Sequence, residues 1–495
     1  MRHSRIHFLL GIAAAAGCFA QSSIDQSFGS AGKVISNFGN QTYVAAAHTL
    51  PDGKILVAGS YFNGVTSDVQ IVRYTADGAI DTAFGTGGVV RTDLGKHESS
   101  AAVRVLGDGK ILVAGSINDP DTGDSDVLLL RYLSDGALDT TFASNTGWVQ
   151  VDFDGRHDAT FGMAVMPDGR IVVAANTRTE ETLGDAEMAR FSSSGMVEAK
   201  YFLALSPAQE QFTGFLAQPD GKFVLTGLRG AFSFSLDFLA ARVDGNGVLD
   251  TSFGAGGIAL VDFGTPADFA MAAALQPDGK IVLAGVAGSD MAVTRLTNSG
   301  LPDPAFGTNG LQRVPVSATL SDAASALALQ QDGKILLGGQ VQTSENSLAF
   351  TSARILPNGA TDTSFGVGGA ITTDFGTENS NVTAFAFQPD GRIIAAGTRA
   401  SFANGFTSDA VMCRYGCGDL RPMVEAVTLE SGRKNSLLSK VDAANKAIAA
   451  DRPSATGILG AFINEVQAYR GAGILTPLAA DGLIAAAQCV LSTLR

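Results

Sequence analysis

One nine-residue string constrains this chain most, because it returns seven times in altered form. It reads PDGKILVAG at Pro51–Gly59, and the other six copies keep its Asp-Gly pair and the apolar run that follows. The Asp of each copy stands at 52, 108, 168, 220, 278, 332 and 390, so the period runs from 52 to 60 residues. Self-similarity at such a period indicates a repeat architecture in which each repeat is one supersecondary unit.

Each period holds four strand-like runs. In the fifth copy these are Gly257–Phe263, Phe269–Leu275, Lys280–Ala284 and Met291–Leu296, which carry β-branched, apolar or alternating residues. The Pro-Asp-Gly between two of them suits a tight hairpin turn, since Pro presets φ and Gly accepts a left-handed φ. Four antiparallel strands per repeat, with no helical pattern between repeats, predict a mainly β fold: a seven-bladed β-propeller of four-stranded antiparallel blades.

Small residues predict which strand of a blade is innermost. Six residues before each turn Asp the chain has only Ala or Gly, and blades converge most tightly at the axis. The strand before Pro-Asp-Gly is therefore expected to be the first strand of its blade. The seventh repeat then ends at Tyr415 without a fourth strand, and Gly32–Phe38 is a fourth strand without a blade. We expect the N-terminal strand to close the ring; an order that starts at the N-terminus without such closure is the alternative.

Charged residues also recur once per repeat. Arg stands in the third strand at 73, 131, 190, 242, 295, 354 and 414. One Asp lies five residues earlier, except at Ala349, and a second recurs in LDTSF-like strings at 25, 81, 139, 250, 303 and 362. Because a catalytic site is made once and not seven times, we interpret these groups as hydrogen-bonded pairs that fix each blade's turn. Ser192–Phe202 lacks the LDTSF string. Either the sequence of the repeat has drifted there, or the segment is a ligand-facing insertion.

LDTSFGxxG, PDGKILVAG and a DxxxxRY strand together resemble the bacterial delta-60 repeat family of β-propellers, over about Ser23 to Tyr415. That resemblance implies an exported or surface protein and carries over no functional residues. Apolar residues at helical spacing then predict helices over Asn435–Ala449, Gly457–Arg470 and Pro477–Leu494. NSLLSKV and GAFINEVQA within them resemble the FIMAH domain, a small helical module that implies attachment outside the cell. A capping bundle without a partner is the equal alternative.

The N-terminus has the features of an export signal. Arg2 and Arg5 precede the apolar run Phe8–Ala16, which is too short to span a bilayer. We expect a signal peptide over 1–20, a propeller over 21–415, a linker over 416–430 and an all-α module over 431–495. Lipid anchoring at Cys18 is the lesser alternative. Of the cysteines Cys413, Cys417 and Cys489, the first two are spaced for a disulfide, but the odd number leaves the pairing open.

The candidate site residues are few. His48 and Arg104 lie in first strands and form a candidate ligand-binding polar spot in the channel. Asp119, Asp121, Asp124 and Asp126 cluster on one loop, and four carboxylates suit calcium, although the spacing differs from an EF-hand. No other cofactor is indicated, and a net charge of −14 argues against nucleic acid.

Function is therefore expected to be non-enzymatic, because the chain lacks the common catalytic motifs and no catalytic residue is assigned. We expect an exported binding or scaffold protein, secreted, periplasmic or on the cell surface, whose ligand is an unknown protein or polysaccharide. The loops behind the KILVAG strands vary in length and chemistry, as a recognition face would. The alternative is a hydrolase or lyase with its site at the channel mouth, which requires a carboxylate beside His48 and Arg104.

Overall fold

The computed structural model describes residues 23–178, 183–203, 205, 210–231, 235–344, 347–376, 379–401, 406–416, 420, 424–425, 427–450, 452–476, 479–480, 483–484, 486–487 and 490–491. The expected signal peptide, Cys18, Cys417 and Cys489 lie outside these residues. The chain divides into two compact units, one of 23–388 with 393–415 and another that contains 416–495, and each is described by itself.

The first unit consists of seven four-stranded antiparallel sheets, which we number as blades 1 to 7. Blade 1 is β3 (Gln41–Thr49), β4 (Ile55–Phe62), β5 (Ser67–Tyr74) and β6 (Val89–Thr92). Blade 2 is β7 (His97–Val105), β8 (Ile111–Asn118), β9 (Ser125–Tyr132) and β10 (Trp148–Val151). Blade 3 is β11 (His157–Val165), β12 (Ile171–Arg178), β13 (Leu183–Phe191) and β14 (Val197–Leu203). Blade 4 is β15 (Glu210–Ala217), β16 (Phe223–Ala231), β17 (Ser235–Val243) and β18 (Ile258–Val261). Blade 5 is β19 (Asp268–Leu275), β20 (Ile281–Ala287), β21 (Asp290–Leu296) and β22 (Leu311–Val314). Blade 6 is β23 (Asp322–Leu329), β24 (Ile335–Ser344), β25 (Ser347–Ile355) and β26 (Ala370–Thr373).

Blade 7 is completed by the N-terminal segment. Its first three strands are β27 (Asn379–Phe387), β28 (Ile393–Ser401) and β29 (Thr407–Gly416), and β1 (Ser23–Ile24) and β2 (Lys33–Ser36) both pair with β29. The β2–β29 pairing is antiparallel and runs from Lys33 opposite Cys413 to Ser36 opposite Ala410. Each blade's first strand contacts the first strand of the next blade, and β27 contacts β3. The predicted ring, its innermost strand and its closure are confirmed.

Apolar side chains from adjacent blades interlock to form the core between them. Leu56 and Ile71 of blade 1 share one buried cluster with Val103 and Ile117 of blade 2, and similar clusters follow around the ring. The small residues of the first strands are required by this packing. A Cβ on Gly162, for example, would come within 2.4 Å of the Phe215 side chain in the next blade. Larger residues there would overpack the junction.

The C-terminal unit contains the helices α1 (Ser431–Ala449) and α2 (Ser454–Gly471). Leu437 and Val441 of α1 pack with Phe462 and Val466 of α2 in a buried cluster that also includes Leu483. The described residues between 479 and 491 are helical as well, within the span where a third helix is predicted. None of the helices in the described part of the chain has the length and apolarity that a membrane span requires.

Candidate functional site

The two ends of the propeller are built differently. At one end, the turn end, the first and second strands are joined by five residues in every blade, as in Leu50–Lys54 and Leu106–Lys110. In these turns Gly53 has a φ of +82° and Asp52 Oδ1 accepts a hydrogen bond from the Lys54 amide at 3.1 Å. At the opposite loop end, the connection between second and third strands ranges from two residues (Gly288–Ser289) to six (Asp119–Asp124).

The repeated arginine forms one structure, here called the arginine anchor, near the turn end of each blade. In six blades its Nε donates to an Asp Oδ2 at 2.7–2.8 Å. These pairs are Arg73–Asp81, Arg131–Asp139, Arg242–Asp250, Arg295–Asp303, Arg354–Asp362 and Arg414–Asp25. The partner is thus the Asp of the LDTSF-like string, and the predicted structural pairing is confirmed.

Six of the seven anchors also join neighbouring blades. Arg295 Nη1 donates to the Pro357 carbonyl of blade 6 at 2.7 Å, and five other anchors reach the next blade in the same way. The Arg295 guanidinium lies 4.7 Å from the ring centroid of Phe306, the aromatic residue of its LDTSF-like string. Charge, hydrogen bonds and ring stacking therefore converge on one side chain per blade.

Blade 3 preserves the anchor with different residues. Glu198 lies 3.3 Å from Arg190 and takes the place of the missing Asp, and Tyr201 takes the place of the Phe. Glu198 follows Arg190 by eight residues, the same spacing as in the other five contiguous pairs, so this signal was available in the sequence. The divergent segment Ser192–Phe202 contains most of the fourth strand β14 and is therefore part of the blade.

The anchors lower the pKa of their carboxylates. The pKa is below its ordinary value in Asp81, Asp139, Asp250, Asp303 and Asp362. For Asp303, burial by itself raises the pKa, but Lys280, the Ala305 amide and Arg295 outweigh it. The same turn Lys bridges to the anchor Asp in blades 1, 2, 4, 5 and 6. Ionised groups held this way serve stability, not proton transfer.

The structure brings His48 and Arg104 together. They occupy equivalent positions near the turn end of the first strands β3 and β7, where the other five blades have Ala or Leu. Burial lowers the pKa of His48, and the positive charge of Arg104 lowers it further. Arg104 Nη1 donates to the Val103 carbonyl at 2.8 Å. Among the described residues, no carboxylate lies within ion-pair distance of either side chain.

The acidic loop does not gather its four carboxylates around one point. Asp119 Oδ2 lies 3.0 Å from Lys96 Nζ, and its Oδ1 accepts from the Asp121 amide. Asp124 Oδ1 accepts from the Ser125 amide, while Asp121 is exposed. Within the described residues, the carboxylates grouped closely enough to share a cation include Asp126 but not the other three.

Three such groups lie at the loop end, each at a junction between two blades. In each group, one oxygen per residue lies within 4.8 Å of the others. The groups are Asp68, Asp93 and Glu98 at junction 1/2; Asp126, Asp152 and Asp158 at junction 2/3; and Asp237, Asp262 and Asp268 at junction 4/5. They combine the Asp that precedes the anchor Arg by five residues with two acids that the sequence analysis did not single out. Burial raises the pKa of Asp68, Glu98, Asp126, Asp158 and Asp237.

A groove lies on the flank of blades 1 and 2, lined by residues of β6, such as Arg91, and of the turn at Asp135–Ala137. It does not include His48, Arg104 or any of the grouped carboxylates. The polar spot and the groove are therefore separate features.

Comparison with known families matches this repeat. Seven stretches fit a family model described as a domain of unknown function (DUF5122) β-propeller: 50–84, 106–142, 167–199, 218–253, 276–306, 330–365 and 388–413. The chain is a member of a β-propeller repeat family. Each stretch begins in a first-to-second turn, and six of the seven contain the anchor Arg, so the family pattern coincides with the turn end. No curated protein matches the chain.

Solved structures with a similar fold differ widely in function. Sqt1 from Chaetomium thermophilum has a TM-score of 0.41 and 13% identity, over 78% of this chain and 100% of that one. An α-L-arabinofuranosidase from Fusarium graminearum has a TM-score of 0.40 and 11% identity, over 77% and 97%. The β-propeller domain of the Trilobed protease from Pyrococcus furiosus has a TM-score of 0.39 and 10% identity, over 75% and 94%.

Proposed function

We propose that this protein is an exported, non-enzymatic binding or scaffold protein of the cell surface or extracellular space, and that it recognises its ligand at the loop end of the propeller. The observation that supports this most is the contrast between the ends. Every blade has an arginine anchor at the turn end, with Glu198 and Tyr201 as its partners in blade 3, whereas the loop end keeps neither length nor chemistry from blade to blade. Variable loops on a rigid frame are the usual arrangement of a recognition surface.

An exposed aromatic pair gives this surface a candidate contact point. Tyr43, at the loop end of β3, stacks on Phe406, just before β29, with ring centroids 6.4 Å apart. They are 42% and 39% exposed, so the stacked pair presents aromatic surface at the loop end. Stacked aromatic rings provide flat apolar area of the kind that binds sugar rings or apolar side chains of a protein ligand.

The C-terminal helices are proposed to assist attachment, as their resemblance to the FIMAH domain suggests. Export rests on the basic and apolar N-terminus together with the resemblance to the delta-60 repeat family. In this proposal the propeller selects the ligand, and the helical module and the export signal decide where that ligand is met.

The hydrolase or lyase alternative requires a carboxylate beside His48 and Arg104. In the described part of the chain these two side chains have no acidic partner, and the pKa of His48 is lowered by a neighbouring cation. A neutral histidine next to an arginine can bind an anionic group of a ligand, but it lacks the group that would orient it as a general base. This favours binding.

The test is a ligand search with built-in controls. The full mature chain is screened on glycan arrays and against extracellular protein fractions, beside the double variant Tyr43→Ala/Phe406→Ala. The matched control is Val248→Ala/Leu301→Ala, which removes apolar residues that are 63% and 57% exposed in turn-end turns. The proposal expects a ligand whose binding falls at least about tenfold in the first variant and stays unchanged in the second. Equal loss in both variants, or turnover of a substrate that His48→Ala abolishes, would overturn it.

A further inference from the structure

We propose that the loop end at junction 7/1 binds a neutral polysaccharide through Asn37, Gln41, Tyr43 and Phe406. This inference rests on the proposed function, because it names the class of ligand that the loop end recognises. Three segments of blades 7 and 1 form the site, here called the neutral surface: 37–43, 62–67 and 406–408. In the sequence, neither these segments nor the stretch 401–405 contains an Asp, Glu, Lys or Arg.

The neutral surface is continuous across the two blades. Gln41 of β3 lies opposite Phe62 of β4, which joins the first two segments. The Thr42 amide donates to Ser408 Oγ at 3.0 Å, and this bond joins the first segment to the third. The stacked aromatic pair spans the same boundary. A ligand that lies here therefore contacts blade 7 and blade 1 together.

Junction 7/1 differs from the acidic junctions at the same repeat positions. At junctions 1/2, 2/3 and 4/5 three acidic side chains come together. At junction 7/1 the same three repeat positions hold Asp409, Asn37 and Thr42. Arg399 Nη2 lies 2.7 Å from Asp409 Oδ2, so the one remaining carboxylate is paired inside the chain. In a chain of formal charge −14, the described side chains of this junction therefore give a charged ligand no net electrostatic attraction.

Carboxamide side chains supply the polar contacts of the neutral surface. Asn37 and Asn40 are exposed, and Gln41, which follows them, is partly buried. Asn37 Oδ1 accepts a hydrogen bond from the Gly39 amide at 2.8 Å, which fixes the turn before β3. A carboxamide has two N–H donors and an acceptor oxygen, whereas a carboxylate only accepts. Because a sugar hydroxyl both donates and accepts, carboxamides match a hydroxyl-rich ligand better than carboxylates do.

Apolar contact points recur on the two adjacent blades. Phe406 and Val65 occupy the same place in one loop motif, Asn-Gly-x-Thr-Ser-Asp, at 404–409 and 63–68 of the sequence. Both side chains are exposed, and Phe406 stacks on Tyr43. The C–H faces of a pyranose ring pack on flat aromatic and aliphatic surfaces of this kind. Two such points, one on each blade, suit a ligand of more than one sugar ring.

The limited apolar area favours a polysaccharide over a protein ligand. A stable protein interface buries about 800 Å² on each partner around a well-packed apolar core. The large apolar side chains that the neutral surface exposes are Tyr43, Val65 and Phe406, and they lie among carboxamides and hydroxyls. A few apolar contacts combined with groups that bond to hydroxyls are what a sugar chain requires.

The experiment is affinity electrophoresis of the full chain in gels that each contain one soluble polysaccharide. The neutral probes are dextran, mannan, xyloglucan and a mixed-linkage β-glucan, and the acidic probes are alginate and polygalacturonate. We expect at least one neutral probe to retard the chain and the acidic probes to leave its mobility unchanged. Isothermal calorimetry with the retarding probe then gives the affinity.

Two variants with the same chemical change form a matched pair. Asn37→Asp introduces the acid that Asp93 and Asp262 provide at junctions 1/2 and 4/5, where Oδ1 accepts the equivalent glycine amide, so the turn is preserved. It should weaken binding of the neutral probe about fivefold or more, because a donor is replaced by a charge. Asn246→Asp makes the change in an exposed turn at the turn end, where blade 1 has Asp77. It should leave the affinity within about twofold of the unmutated chain.

The outcomes separate this inference from the proposed function. The ligand class is wrong if no neutral probe retards the chain, if an acidic probe retards it as strongly, or if Asn37→Asp leaves the affinity unchanged. The proposed function still stands in that case when a protein ligand is found whose binding depends on Tyr43 and Phe406. It fails together with the inference when neither a polysaccharide nor a protein ligand depends on those two residues.

Discussion

The turn end and the loop end of this propeller treat buried carboxylates in opposite ways. Asp303 at the turn end lies between Arg295 and Lys280, and its pKa is below the ordinary value. Asp322, which opens blade 6 at the loop end, accepts only backbone amides, and burial raises its pKa. The first arrangement holds charge in order to bind blades together. The second leaves a buried carboxylate that is held by backbone amides and has no cationic partner.

This difference explains why the repeat is recognisable and its function is not. The residues that recur are those of the arginine anchor and its turns, because six of the seven blades use the same bridge to the next blade. Residues at the loop end face no such common requirement, so they diverge in the way a binding surface does.

The largest expected effect is the loss of one anchor. Arg295→Met keeps the length of the side chain but leaves Asp303, which is 4% exposed, with Lys280 as its remaining cationic partner and removes the bond to Pro357. Breaking a buried ion pair from one side costs roughly 3–5 kcal/mol. Chemical denaturation should show that loss of free energy of unfolding. A loss below about 1 kcal/mol would mean that the anchors do not hold the blades together.

The second-largest difference is expected when one glycine at each end is replaced by alanine. Gly136 in the turn end of blade 2 and Gly123 in the acidic loop both have positive φ, +94° and +74°. A Cβ at Gly136 would lie 2.9 Å from the Phe84 ring, whereas at Gly123 it would meet nothing within 4 Å. Gly123→Ala should therefore cost only the backbone strain, about 1–2 kcal/mol.

Gly136→Ala should cost that strain plus a further 1–3 kcal/mol or so from overpacking against blade 1. Thermal unfolding of the two variants measures the difference directly. Equal midpoints would show that the turn end is no more tightly packed than the loop end.

The pH dependence of stability should have opposite signs at the two ends. The lowered pKa of Asp303 means that its stabilisation is present above about pH 4 and is lost as the pH falls. The raised pKa of Asp322 means that its stabilisation is present below about pH 4 and is lost as the pH rises.

Asp303→Asn and Asp322→Asn remove these contributions one at a time. Denaturation from pH 3 to pH 8 gives the free energy of unfolding of each variant relative to the unmutated chain. The gap for Asp303→Asn should shrink toward acid, and the gap for Asp322→Asn should shrink toward neutral pH. Gaps with the same slope would refute the opposition between the ends.

The smallest expected effect is at the loop-end ion pair Lys96–Asp119, whose side chains are 33% and 30% exposed. Lys96→Ala should change the free energy of unfolding by less than about 1 kcal/mol, since exposed ion pairs contribute little. A cost comparable to that of Arg295→Met would place part of the structural framework at the loop end.

Much of the fold follows from the sequence because each blade repeats the same local solution. The Pro-Asp-Gly turns, the small residues at Ala102 and Gly162, and the fourth strand missing after Tyr415 were sufficient to predict blades, axis and closure. The turns are local features, and the small residues and the closure follow from packing seven blades around one axis. The anchor was predicted as a structural pair, and its blade 3 version could have been found from the spacing of Arg190 and Glu198.

The candidate sites were less predictable because they depend on which blade ends meet. His48 and Arg104 occupy the same repeat position in adjacent blades, so their proximity follows from the ring. The sequence grouped Asp126 with Asp119 on one loop, but the packing of blade 2 against blade 3 places Asp126 next to Asp158, 32 residues later in the chain. Carboxylate groups of this kind arise from packing between blades and have no sequence pattern.

Hydrogen exchange tests the central distinction between the two ends most directly. The Gly85, Gly254 and Gly307 amides bond across blades at the turn end, to the carbonyls of Asp135, Ser299 and Asn358. The Asn63 and Asp119 amides bond only within their own loops at the loop end, to Thr66 and Asp124. We predict that the first three exchange only on global unfolding and the other two by local opening, orders of magnitude faster. Turn-end amides that exchange as fast as the loop-end amides would contradict this account.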